Sequence, residues 1–197
     1  MASFLVCYGT GEGQTAKIAT RIADVLRERG HEATTMDASV PEPDLSLDAY
    51  DSILVGASIH AGRHQRAVRK FVTENHSTLA EKPTAFFQVS LSSAEERGHE
   101  QAASYVEAFI EATDWHPDRI GQFGGALRYS EYGFLKRLLM KQIDKHQHVE
   151  MPAPDSAGNI EFTDWDEIEA FATDVATFVE GRLAIAPPAS GDDGSSD

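Results

Sequence analysis

Thr10 and Thr15 sit in the loop Gly9-Thr10-Gly11-Glu12-Gly13-Gln14-Thr15, a run of glycines and hydroxyls with one acid and no cation. Hydroxyls and free backbone N–H groups are the chemistry of anion binding. The segments on either side say where the loop stands. Phe4–Tyr8 is short, apolar and free of charge, as a buried strand should be. After the loop, Ile18, Ile22, Val25 and Leu26 recur at helical spacing, and Arg29-Gly30 supplies a cation and a glycine stop. The loop therefore joins the carboxyl end of a strand to the amino end of a helix, where unpaired N–H groups and the positive end of the helix dipole meet.

Two known phosphate loops can be tested against it. A P-loop places a lysine after its last glycine; here Gly13 is followed by Gln14, so that reading fails. The dinucleotide fingerprint requires G-x-G-x-x-G. This loop runs G-x-G-x-G, and Met36–Ser39 offers only a loose candidate for a ribose-binding acid. What remains is a cradle of hydroxyls and amides, Thr10, Gly11, Glu12, Gly13, Gln14 and Thr15, with no metal ligand. It suits a terminal phosphate monoester, and flavin mononucleotide (FMN) is the cofactor that most often presents one. The plain alternative is a glycine turn with a helix cap.

Two more segments carry groups that could meet a ligand. In Ser58-Ile59-His60-Ala61-Gly62-Arg63-His64, backbone groups and Ser58 could bond the polar edge of a planar ring lying against the loop, and Arg63 could favour an anionic ring or a carboxylate. His60 and His64 stand four apart, but a metal pair at that spacing needs a helix and a third ligand. Either is a candidate proton donor. The alternative is a solvated basic loop that caps a helix. In Leu91-Ser92-Ser93-Ala94-Glu95-Glu96-Arg97, the serines and N–H groups could bond the pyrimidine side of a flavin, while Ser93 and Glu96 have capping-box spacing. Further on, Gly124-Gly125 allows close backbone approach, Arg128 and Tyr129 follow, and Tyr132–Lys145 mixes apolar and basic residues. That stretch reads either as a contact for a membrane, a quinone or an anionic amphiphile, or as a packed helix with a solvated basic face.

The elements that must position these loops alternate. Strands are expected at Phe4–Tyr8, Glu32–Asp37, Ser52–Ser58, Pro83–Leu91 and Arg119–Leu127. Helices are expected at Thr15–Arg29, Gln65–Glu74, His99–Thr113, Tyr132–Lys145 and Asp164–Leu183, the last with Thr163-Asp164 as its cap. Alternation of this kind implies an α/β fold: a doubly wound five-stranded parallel sheet, order 2-1-3-4-5, with helices on both faces. Ligands of such sheets bind beyond the carboxyl ends of strands 1 and 3, the edge where the three loops meet.

Size and charge narrow the partners. The 197 residues are read as one domain, residues 1–185, with a Pro/Ser/Asp-rich disordered tail at 186–197. A formal net charge of −15 repels nucleic acid and anionic membranes, and fits a halophilic protein whose charge is screened by concentrated salt. Cys7, the only cysteine, reads as a small core residue. No basic-then-apolar leader precedes the first strand and no run is long enough to span a bilayer, so the expectation is a cytoplasmic protein, with peripheral membrane contact through Tyr132–Lys145 and a homo-oligomer both left open.

The segments YGTGEGQTAKIA, GASIHAGRH, DWHPDRIG, GGALRYSEY and FTDWDEIEAFA together resemble the flavodoxin-type, menaquinone-dependent protoporphyrinogen IX dehydrogenases, from about Phe4 to Leu183. The resemblance implies a flavodoxin-like fold. It implies FMN bound by Thr10 to Thr15, by Ser58, Ile59, His60, Ala61 and Gly62, and by Leu91, Ser92 and Ser93. It further implies an enzyme of haem biosynthesis in which a porphyrinogen-like donor gives electrons through FMN to a quinone. Arg63, Arg128 and His60 are the candidates for catalysis or substrate contact. Gly9 stands where many flavodoxins have Ser or Thr, and neither ring-side loop carries an aromatic residue. The competing reading is a flavodoxin-like electron carrier with protein redox partners.

Overall fold

The computed structural model describes residues 1–40, 42, 45–60, 62–94, 98–127 and 160–185. Ala61, Glu95–Arg97, Arg128, Tyr129, the Tyr132–Lys145 stretch and the 186–197 tail lie outside the described residues. Strands β1 (Ser3–Gly9), β2 (Glu32–Asp37), β3 (Ser52–His60), β5 (Thr84–Ser90) and β6 (Arg119–Gly124) form a parallel sheet in the order β2-β1-β3-β5-β6. That is the expected 2-1-3-4-5 order; the two-residue β4 (Arg63–His64) folds back antiparallel on β3 and shifts the later numbers.

The central strands bury both faces, and this explains their unbroken apolar runs. Phe4 and Val6 of β1, Leu54 of β3, and Ala85, Phe87 and Val89 of β5 face one core. It is closed by α1 (Gln14–Glu28) and α5 (Trp165–Arg182), through Ile18, Ile22 and Leu26 on one and Ile168, Ala172, Val175 and Val179 on the other. Leu5, Cys7, Ile53, Val55 and Phe86 face the other core, closed by α2 (Arg66–Glu74), α3 (His76–Glu81) and α4 (His99–Thr113). Cys7 is fully buried there; burial, reinforced by Asp37, pushes its thiol well above the usual range, so it packs as an inert hydrophobe. Asp164 caps α5, its carboxylate accepting from the N–H groups of Asp166 and Glu167 at 3.0 and 3.2 Å.

Two expected strand ends are corrected and one helix is added. β3 continues through Ile59 and His60 instead of ending at Ser58, so the segment expected as a loop is a tight hairpin, turned at Gly62 with φ 76°. The fifth strand ends at Gly124 rather than Leu127. There Gly125 N–H bonds Ser90 O at 3.1 Å and its carbonyl accepts from Phe162 N–H at 3.0 Å, which turns the chain off the sheet. β7 (Ala126–Leu127) then pairs antiparallel with β8 (Ile160–Glu161). A Cβ on Gly124 would overlap Phe162 O, so the close approach expected of this glycine is real. Finally, α3 follows α2 directly, with Asn75 Nδ2 bonding Phe71 O at 2.8 Å at the junction.

At the edge opposite the carboxyl ends of the strands, Glu180 is almost fully buried. Ala2 N–H donates to His31 Nδ1 at 3.2 Å, which leaves Nε2 to donate to Glu180 Oε1 at 2.9 Å. Arg29 Nη2 donates to the other oxygen at 2.9 Å. Burial pushes the carboxyl up, but hydrogen bonds from Arg29 and His31 outweigh it and hold it below its ordinary value. Removing the acceptor strands two donors, so Glu180→Ala should cost about 3 kcal/mol in denaturant unfolding, and Glu180→Gln clearly less. A loss under roughly 1 kcal/mol for the alanine variant would contradict this account of the α1–α5 joint.

Candidate functional site

The loop after β1 is held by one internal bond. Thr10 Oγ1 accepts from Gly13 N–H at 2.8 Å, and Gly13 takes φ 89°, a left-handed conformation that glycine adopts without strain. Gly13 is also the cap residue of α1, and it has no side chain with which to cap. The first turn carries no acid, and the helical ladder starts only with Lys17 N–H on Gly13 O at 3.2 Å. The N–H groups of Gln14, Thr15 and Ala16 therefore have no intrahelical acceptor. Thr15 is 1% exposed, and its Oγ1 is buried without a hydrogen-bond partner. Leaving such a group unmatched costs about 1–3 kcal/mol, and native proteins leave few. A hydroxyl and a helix start, both lacking acceptors at one turn, fit an anionic group with several oxygens.

Gln14 is buried too, but its side chain serves the frame: Nε2 donates to Thr163 Oγ1 at 2.8 Å, and that hydroxyl donates to Gly124 O at 2.9 Å. This ties the first loop to the end of β6. Glu12 and Gly13 are half-buried and Gly11 is exposed.

The hairpin after β3 sorts its candidates by register. Ile59 pairs with His64 and His60 with Arg63, so the two histidines lie on opposite faces and do not converge on one ion. His60, Gly62 and Arg63 are exposed. His64 turns inward against Phe109 and Phe86, ring centroids 4.7 and 5.6 Å away. Gln88 Nε2 donates to Ala102 O at 2.9 Å, so its Oε1 is the atom that accepts from His64 Nε2–H at 2.8 Å. Burial, against the opposing pull of the Gln88 bond and with some help from Arg69, lowers this imidazole to about 4. His64 is thus a neutral packing group at physiological pH, and of the two histidines His60 is the exposed one.

After β5, Ser92–Ala94 forms a short 3₁₀ turn. Ser93 does not cap α4 as its spacing suggested. Its N–H and hydroxyl go back to Ser90 Oγ, at 3.1 and 2.7 Å, and the cap position of α4 is Gly98, which has no side chain to cap. A Cβ on Gly98 would overlap Ser92 O, so the turn and the helix start press together. Ser92 Oγ donates to Gln101 Oε1 at 3.0 Å. Leu91, Ser92 and Ser93 remain half-buried at the carboxyl edge. Sequence reasoning missed Gln65, Ser90 and Thr163. Gln65 and Thr163 act through contacts between elements, for which local spacing carries no signal, and Ser90 through a turn to Ser93 that competes with the capping-box spacing. Among the described residues, no group of three or more His, Cys, Asp and Glu side chains could hold a metal ion.

The lowered His64 has a measurable consequence. Its folded pKa lies below the unfolded value near 6.5, so the unfolded chain binds the proton more readily between those values. Stability from this site is complete above about pH 6.5 and is lost as pH falls toward 4. Unfolding measured across that range should show a steeper loss for the wild type than for His64→Phe. Parallel curves would contradict the buried neutral imidazole.

Comparison with known proteins agrees with this geometry. The flavodoxin domain family matches residues 5–151. The protoporphyrinogen IX dehydrogenase [quinone] of Escherichia coli K12 is 33% identical over 174 residues, covering 87% of this chain and 93% of that protein. The protein of the same name from Leishmania major is 32% identical over 188 residues, covering 93% of this chain and 77% of its own length. Among solved structures, a short-chain flavodoxin associated with a bacterial microcompartment superposes with a TM-score of 0.52 at 14% identity, covering 91% of this chain and 99% of its own. The rubredoxin oxygen:oxidoreductase of Desulfovibrio gigas reaches 0.56 at 12% identity, covering 92% of this chain and 37% of that one. At such identities these two speak for the fold alone. Sheet order, family match and near-full-length relatives agree: the chain belongs to the flavodoxin domain family, in the branch that holds the protoporphyrinogen IX dehydrogenases [quinone].

Proposed function

We propose that this chain is an FMN-dependent dehydrogenase that oxidises a porphyrinogen-like substrate and has a quinone as its electron acceptor. The single observation that carries the reaction is the similarity, over 87% of the chain, to a relative named for it. The unmatched Thr15 hydroxyl at the uncapped start of α1 supports the cofactor. Bound there, FMN would supply the two-electron redox chemistry.

The protein's part is position and field. Thr10, Thr15 and the N–H groups of Gly11, Gln14 and Thr15 would hold the phosphate, with no lysine and no metal. Ile59–Gly62 and Leu91–Ser93, at the ends of β3 and β5, would border the ring, and the Ser58 hydroxyl just before them would face the first loop. Neither of these segments carries an aromatic side chain, so no ring is supplied there to cover the flavin, and a substrate has room to stack. This favours an enzyme over a carrier that passes electrons between proteins. Arg63, exposed at the same edge, would meet a substrate carboxylate. Arg128 and the basic residues of Tyr132–Lys145 are assigned the same part by charge type, together with any contact to a membrane surface. Among the described residues no helix is long and apolar enough to cross a membrane. The net charge of −15 fits a protein that works in concentrated salt.

Protein purified in molar salt should be yellow and release FMN on denaturation. It should convert protoporphyrinogen to protoporphyrin with matching reduction of a quinone analogue under anaerobic conditions. Arg128→Ala and Lys136→Ala should slow turnover more than they loosen FMN. Colourless, folded protein that takes up no FMN at any salt concentration would overturn the cofactor reading. FMN-loaded protein that exchanges electrons only with protein partners would replace the enzyme by a carrier.

A further inference from the structure

The loop that holds Thr10 and Thr15 is completed by an amide from another part of the chain. Gln65 precedes α2 in an extended conformation, φ −62° and ψ 139°. Its Nε2 donates to Ser58 Oγ at 3.0 Å. A Cβ built on Gly9 would overlap Gln65 Oε1 as well as Val68 Cγ2, and one on Gly11 would lie 3.7 Å from Gln65 Nε2. The amide thus rests on Gly9 where β1 ends, reaches Gly11 in the loop, and holds Ser58 near the end of β3. It bridges the two strands that flank the switch point, and the bare backbone of Gly9 makes the space for it.

The donor arithmetic follows. Nε2 carries two hydrogens, and one goes to Ser58; the other has no partner among the described residues. Ser58 Oγ, having accepted from Gln65, keeps its own hydrogen to donate. A spare amide N–H therefore stands beside Gly11, with the Ser58 hydroxyl 3.0 Å from the same nitrogen, at the loop where the Thr15 hydroxyl and the helix start already lack acceptors. The amide oxygen is the part that rests over Gly9, so what the pair adds toward Gly11 is donors, and such a set selects for an oxyanion.

We propose that Gln65 is a positioning residue for the phosphate end of the cofactor: it orients the Ser58 hydroxyl and presents its own second N–H to the phosphate oxygens. This rests on the FMN reading above and adds a residue to it. A side chain that merely filled the space over Gly9 would act on folding and would treat phosphorylated and unphosphorylated flavin alike.

The test compares FMN with riboflavin, titrated into apoprotein in molar salt by quenching of flavin fluorescence, with melting of each apoprotein as the control for folding. Gln65→Met keeps the length and removes the donor; it should weaken FMN by roughly tenfold and riboflavin by less than about twofold. Gln65→Glu keeps the shape and sets a charge against the phosphate, so its FMN loss should be larger, while riboflavin again holds. Ser58→Ala leaves Gln65 in place and should repeat the FMN-selective loss; combined with Gln65→Met it should add less than the product of the two, because one unit has been broken twice. Equal losses for both flavins, or an undiminished FMN preference in Gln65→Glu, would overturn this assignment alone. A wild-type apoprotein that shows no preference for FMN over riboflavin would overturn the cofactor reading and this one with it.

Discussion

A helix start without a cap is the feature on which the rest of this structure turns. α1 begins at a glycine in a left-handed conformation, with no side chain and no acid to meet its first N–H groups. One residue into the helix, the Thr15 hydroxyl is buried with nothing to bond. Folding alone gives no return for either arrangement; a serine or aspartate cap in the usual extended conformation would satisfy a helix start better. The chain keeps an unmet demand for an acceptor at one point. The surrounding architecture holds that point rigid.

The rigidity is two-sided. Phe4, Val6 and Leu54 anchor the sheet to α1 and α5, and Leu5, Cys7 and Val55 anchor it to α2, α3 and α4. Both faces are buried under helices, which fixes the carboxyl ends of β1 and β3 relative to α1. Side-chain bonds then lace the edge. Gln14 through Thr163 reaches Gly124, and Gln65 joins Ser58 to the floor of Gly9. These links cross between elements distant in sequence, which is how a loop of glycines can hold one shape. At the far edge, Glu180 does the corresponding work with Arg29 and His31, and seals the ends of α1 and α5.

Much of this was legible from the residues in order. Apolar runs without charge marked the buried strands, and 3.6-residue spacing marked the helices. Glu32–Asp37 and His99–Thr113 have the bounds that their patterns suggest. The glycine loop could be read because its chemistry is local: rejecting lysine and the third dinucleotide glycine needs only adjacent residues. What could not be read was set by tertiary contacts. His60 and His64 look equivalent in a string, and only the hairpin register sends one to solvent and the other against Phe86 and Phe109. Ser93 looks like a helix cap until Ser90 claims it. Gly125 looks like strand until Phe162 takes its carbonyl. Gln65 looked like the polar start of a helix, because nothing nearby in sequence shows that Gly9 lies beneath it.

Relatives and geometry thus speak to different links of one chain of inference. The relatives name a reaction for proteins like this one, while the loop after β1 states what kind of group can be held. The most direct measurement of that second link is Thr15→Val, which removes the buried hydroxyl and nothing else of size. Apoprotein stability and FMN affinity should be read together. If the hydroxyl waits for a phosphate, apoprotein stability should stay level or rise by about 1 kcal/mol, since an unmet polar group is gone, while FMN affinity falls by roughly tenfold or more. An apoprotein that loses stability while binding FMN as tightly as before would show that the hydroxyl belongs to the fold, and the account would fail at its base.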